Sequence, residues 1–240
     1  MSATPPAVAP PIHEIERALK WRILPTLLFI VALASLLTLA VVSLVMKPKH
    51  PHGLPDDPEA GRAALALAGR ISVPVNTLRF RSALLGGEPH SHTADANMLD
   101  LAASARPTLE AVQRRHPGDP RALAALAVLD LVRHDYGHAA ARYRRACELA
   151  PHYGEGRLGA GVALALEADR TPEPWQSRAL RLQAIAQLAM VDSVDAEYPY
   201  ALYDRALVLA DAGHVREAAF WSARYRALDD TSHWSRALPR

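Results

Sequence analysis

Four histidines of this 240-residue chain form two H-x-H pairs, His50 with His52 and His90 with His92. Alternate residues of extended backbone share a face, so each pair could grip one metal ion through two imidazoles. A zinc-type site needs a third ligand, and the sequence places none at ligand spacing. The plainer reading is two polar loops that contain histidine. His134 and His138 stand four apart, a spacing that suits a metal on one helix face, but a helix–helix turn is expected between them. The single cysteine, Cys147, has no internal disulfide partner and reads as a small buried hydrophobe in mid-helix. The glycines of GEGRLGAG, residues 154–161, superficially suggest a nucleotide-binding loop. No strand leads into them, and close helix packing accounts for them better. Asp229 and Asp230 read as a solvated helix end. The motifs G-x-S-x-G, H-E-x-x-H and the phosphate-binding glycine loop do not occur. No catalytic residue, bound metal or cofactor is expected, and the chain is not expected to be an enzyme.

The elements that would carry these residues are predominantly helical. Half of the chain is hydrophobic, aromatics make up 6%, and alanine and leucine dominate. The net charge of +2 is unevenly placed. Residues 1–52 hold five Lys/Arg and two Asp/Glu, which leaves 22 basic and 23 acidic side chains beyond them. A near-neutral domain is a poor electrostatic match for nucleic acid, so none is expected as partner. All three lysines, Lys20, Lys47 and Lys49, flank one apolar run.

That run extends over 21–46 and carries no charge from Ile23 to Met46, 24 residues. A helix needs about 20 residues to cross the hydrocarbon core. Pro25 falls in the first turn, and Trp21 sits where an interfacial aromatic belongs. A cleaved signal peptide has a shorter apolar core and a small-residue cleavage site, whereas this run ends LVMKPK. An uncleaved single-pass anchor in an inner (plasma) membrane is expected. Arg17, Lys20 and Arg22 before the span balance Lys47, Lys49 and Arg62 after it. The short leading tail and the large trailing domain favour export of the latter, with a periplasmic location. Residues 1–20 read as a proline-rich disordered tail, and 47–56 as a linker.

After the linker, residues 57–96 read as one helix from Asp57 followed by an irregular segment. ISVPV could be a short strand, but Pro74 argues against a central one. Helix is expected again over 97–115, with Pro107 interrupting or starting part of it. From 97 to 240 the chain is expected to be helical repeats. Pro117 and Pro151 lie 34 residues apart and bracket two helical segments. The second, YGHAAARYRRACELAP, has Ala139, Ala140 and Ala146 around one large ring, Tyr143. Small residues on a helix–helix seam let the backbones approach, and dispersion contacts then compensate for the small side chains.

This stretch resembles the tetratricopeptide repeat family, whose second-helix pattern falls on Ala139, Tyr143 and Ala146 and whose terminal proline falls on Pro151. The first helix matches less well, with Leu123, Leu126, Ala127 and Asp130 at the signature places. A second unit spans 154–168 and 173–192, with Gly161 as its small residue and Ala179 and Ala186 as seam alanines. A third runs from about Pro199 to Asp230, with Ala206, Gly213 and Ala218 in place but Ser222 and Tyr225 departing from the pattern. Helix 97–115 looks like the second half of an earlier repeat. The expected class is all-α: an N-terminal transmembrane helix followed by a tetratricopeptide-like helical-hairpin solenoid.

The resemblance implies a concave groove, lined by the first helix of each repeat, that holds a protein partner as a peptide or a helix. Carried onto this sequence, the lining is Arg121, Ala124, Val128 and Leu131, then Glu155, Leu158 and Val162, then Tyr200, Tyr203 and Leu207. Ala124 and Val128 stand where some family members place a carboxylate clamp, which disfavours a C-terminal carboxylate ligand. Because large exposed apolar patches are rare, the chain's own 57–96 segment is the other candidate to cover this lining. The expected role is a membrane-anchored scaffold or adaptor that assists assembly or maturation of an envelope protein complex. The alternatives are a structural subunit of a membrane complex, and a metal-handling protein using the histidines of 50–92.

Overall fold

The computed structural model of the chain describes residues 51, 53–86 and 96–239. The apolar run 21–46 and the pairs His50/His52 and His90/His92 lie outside the described residues. Among the described residues no helix is long and apolar enough to cross a membrane.

Nine helices occur among the described residues, and local chemistry sets most of their starts. Helix α1, Pro58–Leu67, begins where the Asp57 carboxylate accepts the N–H groups of Glu59 and Ala60. Helix α2, Ala96–Arg115, runs without a break through Pro107, which was expected to interrupt the helix or to start part of it. The proline forgoes one backbone hydrogen bond; burial of Met98, Ala102, Ala105, Leu109 and Val112 along one face offsets the loss. Helix α3, Pro120–Val132, is capped by Asp119, and α4, Tyr136–Leu149, by Asp135. The turn between them is made by His134, with φ of 58°, and its imidazole lies 2.8 Å from the Tyr136 hydroxyl. Helices α5, Gly154–Arg170, and α6, Pro174–Leu188, form the next hairpin; α7, Tyr198–Asp211, and α8, Val215–Arg226, form the third. Gly213, with φ of 83°, turns α7 into α8. A short α9, His233–Ala237, follows, with Ser232 as its cap.

Each helix packs on the next in chain order, and α5 joins both neighbouring hairpins. The first helices also touch one another, α3 with α5 and α5 with α7, whereas the second helices show no comparable contact. That inequality puts α3, α5 and α7 on the inner side of a curved stack, as in tetratricopeptide-type repeats. It also explains why α3 and α5 are buried nearly all round while α4, α6 and α8 bury one stripe each. Before the first full hairpin, α1 packs on α2 as a further pair. Asp57 clasps Arg115 at 3.1 Å and His116 at 3.0 Å across the ends of these two helices.

The seam between α4 and its neighbours is made as the alanines suggest. Ala139, Tyr143 and Ala146 have no exposed surface. A Cβ at Gly159 of α5 would fall on the Tyr143 ring, so that glycine makes room for the wedge. Asp130 stands at the family's tyrosine place and is buried as an ion-pair hub, 2.6 Å from Arg106 of α2 and 2.8 Å from Arg142 of α4. The α6 seam lies elsewhere than expected. Ala179 and Ala186 face solvent, and Ser177, Ala184 and Leu188 turn inward. The reason is Gly161, where a Cβ would come within 2.5 Å of Leu188 Cγ. A notch that deep takes a leucine knob, and the alanines one face away are left outside.

Candidate functional site

Of the ten residues expected to line a partner groove, Ala124, Val128, Leu131, Leu158 and Val162 share one buried cluster with Tyr200 and Leu207 packed against it, whereas Tyr203 belongs to a second cluster with Tyr225 and Leu238, and Arg121 pairs with Asp119. Ala124, Val128, Leu131, Glu155, Leu158, Val162 and Tyr203 are buried; Arg121, Tyr200 and Leu207 are half-buried. What covers them is the chain itself. Ile71, Val73, Val75, Leu78, Phe80 and Leu84 belong to one continuous buried cluster with Ala124, Val128, Leu131, Leu158 and Val162.

This strap forms no helix, and it forms no regular strand at ISVPV. It consists of two extended runs joined by a turn at Asn76, whose φ is 53°. Along 78–84 every second residue is buried: Leu78, Phe80, Ser82 and Leu84. One face of an extended peptide thus lies on the helices while Arg79, Arg81 and Ala83 emerge at its margins. The Phe80 ring meets Tyr143 edge-on at 6.5 Å, which ties the strap to the first hairpin.

Polar contacts fix the strap at its other end. Ser82 Oγ donates to Glu155 Oε1 at 2.7 Å, and the Tyr153 hydroxyl donates to Glu155 Oε2 at 3.0 Å. The backbone N–H of Arg79 donates to Asp204 Oδ1 at 2.7 Å. Arg79 Nη1 donates to the Tyr225 hydroxyl at 2.5 Å, and its guanidinium stacks 4.4 Å above the Tyr200 ring. Arg81 lies 3.6 Å from Glu197. Desolvation drives the Glu155 carboxyl up to about 7, aided by Glu197 and opposed by the hydrogen bonds from Ser82, Ala83 and Tyr153. Burial, with Asp204 adjacent, pushes the Tyr203 phenol up to about 12. A cavity of about 430 Å³ opens beside this end, between Arg81, Ser82, Tyr153, Glu155 and Glu197.

Arg79, Glu197, Asp204, Tyr225 and Trp234 were not among the expected lining residues. The alternation of apolar residues through 71–84 is the signal that could have located the strap. Nothing local points to Asp204, which meets Arg79 across 125 residues of chain. Among the described residues no group of three His, Cys, Asp or Glu is placed to hold a metal ion. Cys147 is buried, and desolvation raises its thiol to about 11, well away from a reactive thiolate. The arrangement holds the chain's own segment 71–84 through apolar side chains, buried carboxylates and aromatic faces.

No family model matches the chain, and no curated protein matches it. Among solved structures it is similar to the crystal structure of TTC0263, a thermophilic TPR protein in Thermus thermophilus. The TM-score is 0.48 at 23% sequence identity, over 55% of this chain and 69% of that one.

Proposed function

We propose that the protein is a membrane-anchored helical-repeat scaffold that holds a protein partner on its inner face. The anchor is the apolar run 21–46, the membrane is an inner (plasma) membrane, and the repeats stand on its periplasmic side, where they assist assembly of an envelope complex. The observation that carries the binding part is the strap. A stack of helical hairpins whose inner face already holds an extended polypeptide, through alternate side chains and buried carboxylates, has the chemistry of a peptide-binding surface. The anchor rests on the 24 uncharged residues from Ile23 to Met46.

A second placement of the partner is favoured by one further feature. Trp175 is 71% exposed on α6, followed on the same face by Ala179, Leu182 and Ala186, with Met190 exposed in the turn after the helix. Such an outward apolar stripe suits a subunit that docks by its outer surface. Photo-cross-linking in native membranes separates the two. A cross-linking amino acid at Tyr200 reports the inner face, and one at Trp175 the outer. An adduct with a defined protein at Tyr200 supports the scaffold reading, and one at Trp175 alone moves the partner outside. No adduct at either position, with the chain intact, ends the adaptor reading. Release of the full chain by carbonate washing ends the anchor.

A further inference from the structure

The inner face changes character along the stack. Against the first half of the strap, 71–78, it is apolar, and Ile71, Val73, Val75 and Leu78 are buried there. Against 79–82 it is acidic and aromatic. The Arg79 guanidinium lies 4.4 Å from the centre of Tyr200 and 5.0 Å from Trp234, with Tyr225 and Tyr203 at 5.9 and 6.0 Å. Four rings from α7, α8 and α9 thus surround one cation. Tyr203 stands edge-on to both Tyr225 and Trp234 at 5.4 Å, so the rings brace one another independently of the arginine. Glu155, Glu197 and Asp204 line the same end, opposite Arg81, Ser82 and the Arg79 backbone.

The two halves of the strap differ in how they can leave. Releasing 71–78 would expose several buried apolar side chains to water at once. Residues 79–82 are held by charge, ring stacking and side-chain hydrogen bonds together with the buried Phe80 ring, and another segment of two arginines about one aromatic residue can reproduce these contacts one for one. The Arg81 side chain is already 42% exposed, and the cavity beside it gives an incoming chain a place to start.

We propose that this aromatic and acidic end is a recognition site for an extended protein segment bearing two arginines about one aromatic residue, and that residues 79–82 are its resident competitor. The inference rests on the scaffold reading and names the chemistry of the partner. The first arginine enters the four-ring cage, the aromatic takes the place of Phe80 against Tyr143, and the second arginine faces Glu197. Lysine is a poor substitute, because the planar guanidinium stacks on Tyr200 while keeping an N–H in line with the Tyr225 hydroxyl. The resident strap lowers the apparent affinity by the fraction of time the site is open, so weakening the strap must strengthen the partner.

The test uses the full chain in detergent and a fluorescent peptide of sequence TLRFRSALLG, the chain's own residues 77–86. Arg79→Ala is expected to bind the peptide at least tenfold more tightly than the wild-type chain does. A peptide with alanine at both arginine positions is expected to bind Arg79→Ala at least tenfold more weakly. Equal affinity of the two chains, or full binding of the arginine-free peptide, overturns the proposal. If Arg79→Ala loses its helical circular dichroism, the wild-type chain decides by amide hydrogen exchange. Saturating peptide must then speed exchange at the Arg79 N–H, and unchanged protection there overturns the proposal. Dimerisation of the wild-type chain that the peptide dissolves would assign the site to a second copy and exclude a foreign segment. The scaffold reading fails separately, by absence of the membrane cross-links, so the two failures are distinguishable.

Discussion

Helices α4 and α6 carry the same signal and use it in opposite ways. Both are second helices of a hairpin, and both repeat alanine at intervals of seven. In α4 the pair Ala139 and Ala146 is buried, and the seam closes over Tyr143. In α6 the pair Ala179 and Ala186 faces solvent, and Ala184 and Leu188 make the contact. The cause lies on α5, which both helices pack against. Gly159 leaves a notch that the Tyr143 ring fills from one side, and Gly161 leaves one that Leu188 fills from the other. Alanine marks where two helices can approach, but the larger side chain and the notch that receives it decide which face does so.

The contrast can be broken most severely at Phe80, the strap residue whose ring meets Tyr143 of the first hairpin. Phe80→Ala should destabilise the domain by ~3–5 kcal/mol, as deletion of a fully buried ring does. Denaturant unfolding measures it, and a loss under ~1 kcal/mol would mean the strap contributes little to the first hairpin. Ala139→Leu comes next, at ~1–3 kcal/mol through overpacking of the α4 seam. An unchanged thermal midpoint there would remove Ala139 from the helix contact.

A third test addresses α5 itself. The folded carboxyl of Glu155 is raised to about 7 from an ordinary 4.5 by desolvation, with Glu197 adding to it. Its stabilising contribution is therefore full below the unfolded value and lost as pH rises through about 7. The wild-type midpoint should fall between pH 5 and pH 8, and Glu155→Gln should flatten that fall. Desolvation of Asp57 is outweighed by hydrogen bonds from Glu59, His116, Arg115 and Ala60, which hold its carboxyl down at about 2, so it is ionised throughout this window. His134 is lowered by desolvation and by Arg170, and it weakens the fold only as pH drops below its ordinary range. Its slope is opposite in sign and persists in Glu155→Gln. A pH profile identical in the two chains would refute the account of Glu155. The smallest effect belongs to the outward alanine: Ala186→Leu should change stability by no more than about 0.5 kcal/mol. A loss comparable to that of Ala139→Leu would erase the difference between α4 and α6.

Much of the fold was legible because its signals are short-range. Asp57, Asp119 and Asp135 cap the helices that follow them, Gly213 turns the third hairpin, and Tyr143 with its alanines announces a seam. Caps, turns and seam periodicity act within one or two helical turns, so neighbouring residues state them. The lining expected on α3, α5 and α7 came from the resemblance to tetratricopeptide repeats, and of it Ala124, Val128, Leu131, Leu158 and Val162 share one buried cluster. Three things were decided only by the tertiary structure. Gly161 chose the buried face of α6, because both alanine registers satisfy the same period. Asp130 became a hub for Arg106 and Arg142, since its partners sit on separate helices. Residues 71–84 took the groove, which the sequence left open between the chain's own 57–96 segment and a foreign partner, because an alternating apolar segment can lie on any apolar surface. Only the folded stack brings Glu155, Asp204, Tyr200 and Tyr225 together around Arg79 and Ser82, from positions 73 to 146 residues away in the chain.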